Sequence, residues 1–194
     1  MNPIRWAQSE VLHFAWQRGW YQPPDRKLME AEILPALSRH DDVKTVLFVG
    51  VKWYNAHHPA LFTKVGKTFA TIDPDPEQTP HGGKPHAVAF VQDLEKHFEG
   101  MTFDAIVISG VIGWGINDIP ELDRTLQVFS RVMSKGGWLV FGLNPLTQNH
   151  VEPSDAPTSK DFEPAILGNL GKSRVDVPLP FKQKLHTYLV WRKK

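Results

Sequence analysis

Gly50, Asp73 and Asp93 are the residues best placed to do chemistry. Gly50 follows the apolar run Thr45 to Val49, Asp73 closes Thr68 to Ile72 23 residues later, and Asp93 comes just after Ala87 to Val91. A strand ending in a tight glycine turn, followed by two strands ending in carboxylates, is the order in which doubly wound α/β domains present contacts to a nucleotide. Glycine permits close backbone approach, and one carboxylate accepts two hydroxyl donors at once. The spacing predicts a site for an adenosine-like group.

Other reactive patterns are weaker. His57-His58 are adjacent, and His81 and His86 sit on a proline-bearing loop. None has the i, i+4 spacing of a helical zinc pair, and no acidic third ligand adjoins them, so no metal is expected. His58 or His86 could serve as a general base, since histidine titrates near neutrality. Tyr54, Asn117 and Asn144 could position a substrate. No Gly-x-Ser-x-Gly elbow occurs, and Gly66-Lys67-Thr68 follows a predicted helix where a phosphate-binding loop would open one.

The elements that must hold these residues alternate from Lys44 onward, which predicts a mostly parallel sheet covered on both faces. Strands are expected at Val46 to Val49, Thr68 to Ile72, Ala87 to Val91, Phe103 to Ser109 and Gly137 to Leu143. Helices are expected at Pro59 to Lys64, Leu94 to Phe98, Ile119 to Ser134 and Phe162 to Leu170. Arg174 to Val177 and Leu185 to Trp191 read as an antiparallel pair joined by Pro178-Leu-Pro180. Before the first strand, Asn2-Pro3 would cap a helix carrying Ile4, Val11, Leu12, Ala15 and Trp16, and Arg26 to Ser38 forms a second that Pro35 should kink. Residues 1–40 thus read as a helical cap outside the alternating core of 41–194, within a single domain. Trp6, Trp16, Trp20 and Tyr21 add an aromatic cluster suited to packing or to a lid.

Composition narrows the class. With 194 residues, 41% hydrophobic, the chain suits one buried core. A formal charge of +1 gives no field that favours nucleic acid or an anionic membrane. No apolar run reaches the length that spans a bilayer, no leader is evident, and a cytoplasmic location is expected. The absence of cysteine excludes thiolate metal sites and disulfides.

From about residue 40 the chain resembles the class I S-adenosylmethionine-dependent methyltransferases. The resemblance rests on Val46-Leu-Phe-Val-Gly50, Thr71-Ile-Asp-Pro-Asp75, Val91-Gln-Asp93, Phe103-Asp-Ala-Ile-Val-Ile108, and Met133-Ser-Lys-Gly-Gly-Trp-Leu-Val140, which is similar to that family's Leu-Lys-Pro-Gly-Gly-x-Leu turn. Ser109-Gly-Val-Ile-Gly-Trp-Gly115 is similar to a segment in one branch of the superfamily. The implied fold is a Rossmann-like, doubly wound, mostly parallel seven-stranded sheet ending in an antiparallel edge hairpin.

The resemblance implies S-adenosyl-L-methionine as cofactor, held by Gly50, Val51, Lys52, Trp53, Asp73, Asp93, Leu94, Ser109, Gly110 and Val111. Asp73 would take the ribose hydroxyls, and Asp93 with the Leu94 amide would take the adenine. The glycine turn departs from the family pattern: Phe48 stands where an acidic residue is usual, and Val51, Lys52, Trp53 and Tyr54 replace a glycine-rich run. Lys52 is therefore expected to pair with the cofactor carboxylate. The expected activity is methyl transfer to an oxygen or nitrogen of a small molecule, the pocket being closed by the N-terminal helices and the loops at 74 to 86 and 145 to 161. A non-catalytic partner module of the same fold is the first alternative, favoured by the eroded turn. A nicotinamide-dependent oxidoreductase is the second, disfavoured because Gly-x-Gly-x-x-Gly is absent.

Overall fold

A computed structural model describes residues 11–12, 14–16, 18–144, 151–180 and 184–194. The expected Asn2-Pro3 cap, Ile4, Trp6 and the start of the second loop, 145–150, lie outside the described residues.

Strands β1 (Thr45–Val49), β2 (Thr68–Asp73), β3 (His86–Val88), β4 (Phe103–Ser109) and β5 (Met133–Leu143) pair in parallel, and β8 (Lys184–Lys193) runs antiparallel to β5. The sheet has eight strands in the order β3-β2-β1-β4-β5-β8-β6, with β7 (Arg174–Leu179) paired to β8. Reversal of direction from β1 toward β2 on one side and β4 on the other opens a crevice at the carboxyl ends of these strands, where open α/β sheets bind ligands.

The eighth strand is β6 (Phe162–Pro164), which replaces the helix expected over Phe162 to Leu170. Phe162 lies against the Trp191 ring, 6.2 Å away, and Pro164 is tolerated because β6 is an edge strand. Pro178 and Leu179 likewise remain inside β7 and do not form the joining turn, since β7 pairs only with β8 and a missing N–H on its open side costs nothing.

Two apolar layers flank the sheet. Helix α1 is continuous: an α-helical segment Pro24–Leu28, a π-helical turn Met29–Ile33 and an α-helical segment Leu34–Arg39. Pro35 cannot donate and its ring crowds the preceding turn, and the widened turn just before it absorbs the misfit. Met29, Ile33, Leu34 and Leu37 are fully buried against Val46, Phe48, Val107, Val140 and Tyr188. The helix is thus one of the sheet's own covering layers and not an external cap. Each such side chain contributes about 1.5–3 kcal/mol of burial. Helix α2 (His58–Thr63) completes this layer through Phe62, while α3 (Leu94–His97) and α4 (Ile119–Val132) cover the opposite face. Residues 151–161 form two short 3-10 turns that pack on α4, with the Thr158 amide donating to Asp123 Oδ1 at 2.7 Å. They brace that face and contribute nothing to the cavity described below. Among the described residues no helix is long and apolar enough to cross a membrane.

Candidate functional site

A cavity of about 560 Å³ opens at the carboxyl ends of β1, β2 and β4. It is lined by Gly50, Asp73 and the apolar Val49, Ile72, Ala89 and Val91, together with Ser109, Asn144, Arg26 and Tyr54. Gly50 has φ +87°, and a Cβ there would stand 2.6 Å from Val111 Cγ2 and 3.0 Å from the Ser109 carbonyl oxygen. Only glycine fits both the conformation and the space.

Asp73 is buried and organises the turn that follows β1. Its Oδ2 accepts the Val51 amide at 2.7 Å and its Oδ1 accepts the Asp75 amide at 2.9 Å. Each oxygen retains a lone-pair site for a further donor. The amide that a glycine-rich run would aim into the cavity is here fastened to the end of β2, which explains how Val51 and Lys52 are accommodated. Lys52 and Tyr54 do not fill the space; they line it. Lys52 Nζ lies 3.8 Å from Asp75, whose carboxyl is held below its usual range by hydrogen bonds from Gln78 and the Glu77 amide and by the Lys52 charge.

Ser109, Gly110 and Val111 also line the cavity, so the fold brings together Gly50, Lys52, Asp73, Ser109, Gly110 and Val111. Asp93 stands apart. Residues Val91–Asp93 form a 3-10 turn, so Gln92 faces the cavity while the Asp93 carboxylate grips Lys96 at 2.5 Å. Leu94 is wholly buried in the core, and Trp53 lies outside the cavity with its ring 5.5 Å from that of Trp16. Asn117 is exposed, donates its backbone N–H to Glu121 Oε2 and does not line the cavity.

His58 is 1% exposed and faces away from the cavity into a cluster with Glu30 and His57. Glu30 stands 27 residues before His57, so spacing alone could not reveal this third ligand-type residue. Glu30 Oε1 lies 3.2 Å from His58 Nε2, and Glu30 Oε2 lies 3.3 Å from His57 Nε2. Asn55 Oδ1 is committed to the Lys52 amide, so its Nδ2 faces His58 Nδ1 at 3.5 Å. That arrangement puts the imidazole proton on Nε2, directed at Glu30, which is the reverse of a metal-ready tautomer. Burial lowers the His58 pKa despite Glu30; burial pushes Glu30 up, but hydrogen bonds and charge from the two histidines outweigh it and hold it low. The cluster therefore clamps α1 onto the turn after β1. His86 is also committed, its Nδ1 lying 2.8 Å from Thr71 Oγ1.

Two contributors had no signal in the sequence. Arg26 reaches the cavity from α1, stacks over Tyr54 at 4.4 Å and donates to its hydroxyl at 3.1 Å. His186, on β8, is buried beside Asp25 with its Nδ1 3.9 Å from Oδ2, and burial drives its pKa down to about 4 against the pull of that carboxylate. Both depend on how α1 lies across the sheet.

Residues 54–141 match the methyltransferase-domain family. No curated protein matches the chain. Among solved structures, the N-methyltransferase NodS from Bradyrhizobium japonicum WM9 is similar with a TM-score of 0.66 at 15% identity, over 87% of this chain and 96% of that one. A second NodS structure, in complex with S-adenosyl-L-homocysteine, gives a TM-score of 0.66 at 14% identity, over 88% of each chain. A TehB-like S-adenosylmethionine-dependent methyltransferase from Corynebacterium glutamicum ATCC 13032 gives 0.60 at 15% identity over 100% of both chains.

Proposed function

We propose that this chain is a class I S-adenosylmethionine-dependent methyltransferase, an enzyme transferring a methyl group to an oxygen or nitrogen of a small molecule; the methyltransferase-domain match over residues 54–141 and the shared fold support that reading. The observation that carries the reading is that one cavity is lined both by Gly50 and Asp73 and by Ser109, Asn144, Arg26 and Tyr54. Its volume lies within the range of small-molecule sites.

The residues present fit the cofactor. Asp73 offers its remaining lone pairs to the ribose hydroxyls, Gly50 lets the turn after β1 close against Val111 and the Ser109 carbonyl at the cavity wall, and Val49, Ile72, Ala89 and Val91 supply apolar walls for the adenine. Lys52 and Arg26 are the cations available to the methionine carboxylate. When bound, the cofactor supplies an electrophilic methyl group on a sulfonium. The protein's part is to exclude water and hold the acceptor in line, which by itself accounts for a large share of rate in such transfers. Support for a small acceptor comes from the near-neutral charge of the chain, which offers no field for a polyanionic substrate.

Thermal shift with S-adenosyl-L-homocysteine at 100 times its Kd is expected to add about 2.7 kcal/mol, a rise of roughly 5–10 °C. A rise with NAD and none with S-adenosyl-L-homocysteine would replace this reading with a dehydrogenase, and silence with both would favour a partner module. Lys52→Ala is expected to weaken S-adenosyl-L-homocysteine binding in calorimetry by about 5-fold to 10-fold, the worth of one partly exposed charge-assisted contact. Unchanged affinity would assign the carboxylate to Arg26 alone.

A further inference from the structure

We propose that the acceptor end of the cavity removes a proton, through Ser109 and His186 meeting over the bare Cα of Gly142 with Asp25 behind them, and that the acceptor is therefore a group whose O–H or N–H is lost on methylation. The proposal rests on the methyltransferase reading and adds the chemistry of the acceptor.

Sheet register brings the parts together. Ser109 on β4 pairs with Gly142 on β5, which pairs with Tyr188 on β8, and His186 lies two residues before Tyr188 on the same face. A Cβ at Gly142 would stand 2.5 Å from Ser109 Oγ and 3.2 Å from His186 Nε2, so the two side chains share the space that a missing side chain leaves. Both residues are 4% exposed. Among the described residues neither Ser109 Oγ nor His186 Nε2 has a hydrogen-bond partner, and Asp25 Oδ1 has none either. A buried polar atom without a partner forfeits its hydration with nothing in return, and such atoms are few in native proteins. Three in one corner, at the end of a cavity that Ser109 itself lines, mark a place kept for a polar group of a ligand.

Asp25 gives the corner its direction. The charged and titratable groups facing His186 are Asp25 and Arg26 from α1 and Tyr188 from β8, whose ring is 4.7 Å away and whose hydroxyl donates to the Asp25 carbonyl. The carboxylate on the Nδ1 side favours the Nδ1–H tautomer, which leaves the Nε2 lone pair facing the Ser109 side of the gap. As the acceptor heteroatom takes the methyl group, the pair of the S–C bond stays on sulfur and the pair of the acceptor's X–H bond stays on X. The proton passes to Ser109 Oγ as the Ser109 hydroxyl proton passes to His186 Nε2, and the imidazolium so formed faces the Asp25 carboxylate. Thiolates and tertiary amines, which have no proton to lose, gain nothing from this corner.

Two measurements test it, one of which needs no acceptor. Long-range 15N–1H spectra of the cofactor-free protein at pH 7, with His186 assigned by its absence in His186→Gln, should show the Nδ1–H tautomer; Asp25→Asn should raise the Nε2–H fraction. An Nε2–H tautomer in the wild type overturns the proposal. Transfer of labelled methyl groups to a panel of phenols, primary amines and tertiary amines should favour the first two classes, with His186→Gln lowering kcat about 100-fold at nearly unchanged KM. A preference for tertiary amines, or an unchanged kcat in His186→Gln, overturns it. Calorimetry with S-adenosyl-L-homocysteine on the wild type keeps the two readings apart: loss of binding there rejects the methyltransferase itself, whereas intact binding with a failed tautomer rejects only the relay.

Discussion

Asp73→Ala is expected to lose at least about 100-fold in affinity for S-adenosyl-L-homocysteine and to melt roughly 5–10 °C below the wild type even without ligand. The carboxylate does two jobs at once. In the free protein it accepts the Val51 and Asp75 amides, and two donors stripped of an acceptor cost about 1–3 kcal/mol each, less for the Asp75 amide outside the core. In the complex the same anion would receive the ribose hydroxyls, and charge-assisted bonds of this kind account for the hundredfold loss. Asp73→Asn retains one carbonyl acceptor and turns an NH₂ toward the other donor, so it should fall between the two. Calorimetry and thermal melts on all three proteins decide the matter. Wild-type affinity in Asp73→Ala would remove this residue from the binding site, and an unchanged melting point would mean the two amides find other partners.

Stability should also fall by an amount on the order of 3 kcal/mol as pH drops from 6.5 to about 4, with His186 as the main source. Its folded pKa lies below that of the unfolded chain, so over this window the unfolded state binds the extra proton. Stability is therefore full above pH 6.5, is lost as pH falls, and stops changing on this account below about 4, where both states are charged. His58 and His86 are lowered by burial as well and act in the same direction. Urea midpoints measured across this range should slope steeply in the wild type and much less in His186→Gln. Equal slopes in the two proteins would mean that the Asp25 carboxylate neutralises the imidazolium at little cost.

The central parallel strands β1 and β4 were legible because each is buried on both faces and reads as a continuous apolar run, Val46 to Val49 and Ala105 to Ile108. Gly50 and Asp73 were legible for a related reason: a strand end fixes where the next residue points. Asp93 falls outside the cavity lining because β3 stops at Val88 and a 3-10 turn intervenes, which gives the lining position to Gln92. A turn of that kind leaves no periodic trace. The Glu30 clamp and the Ser109, Gly142 and His186 corner were invisible for a different reason, since they arise from the lie of α1 across the sheet and from register between β4, β5 and β8. Contacts between distant segments have no counterpart in local spacing.

The bond from the Val51 amide to Asp73 has a bearing on how such proteins are recognised. Repeated glycines keep a phosphate-type or nucleoside-type loop tight by offering bare backbone; here a side chain from the adjoining strand does the tightening. A loop secured in that way is free to vary in sequence, and kinship among its bearers should be sought in the acidic residue that closes the second strand, with glycine content a poor guide.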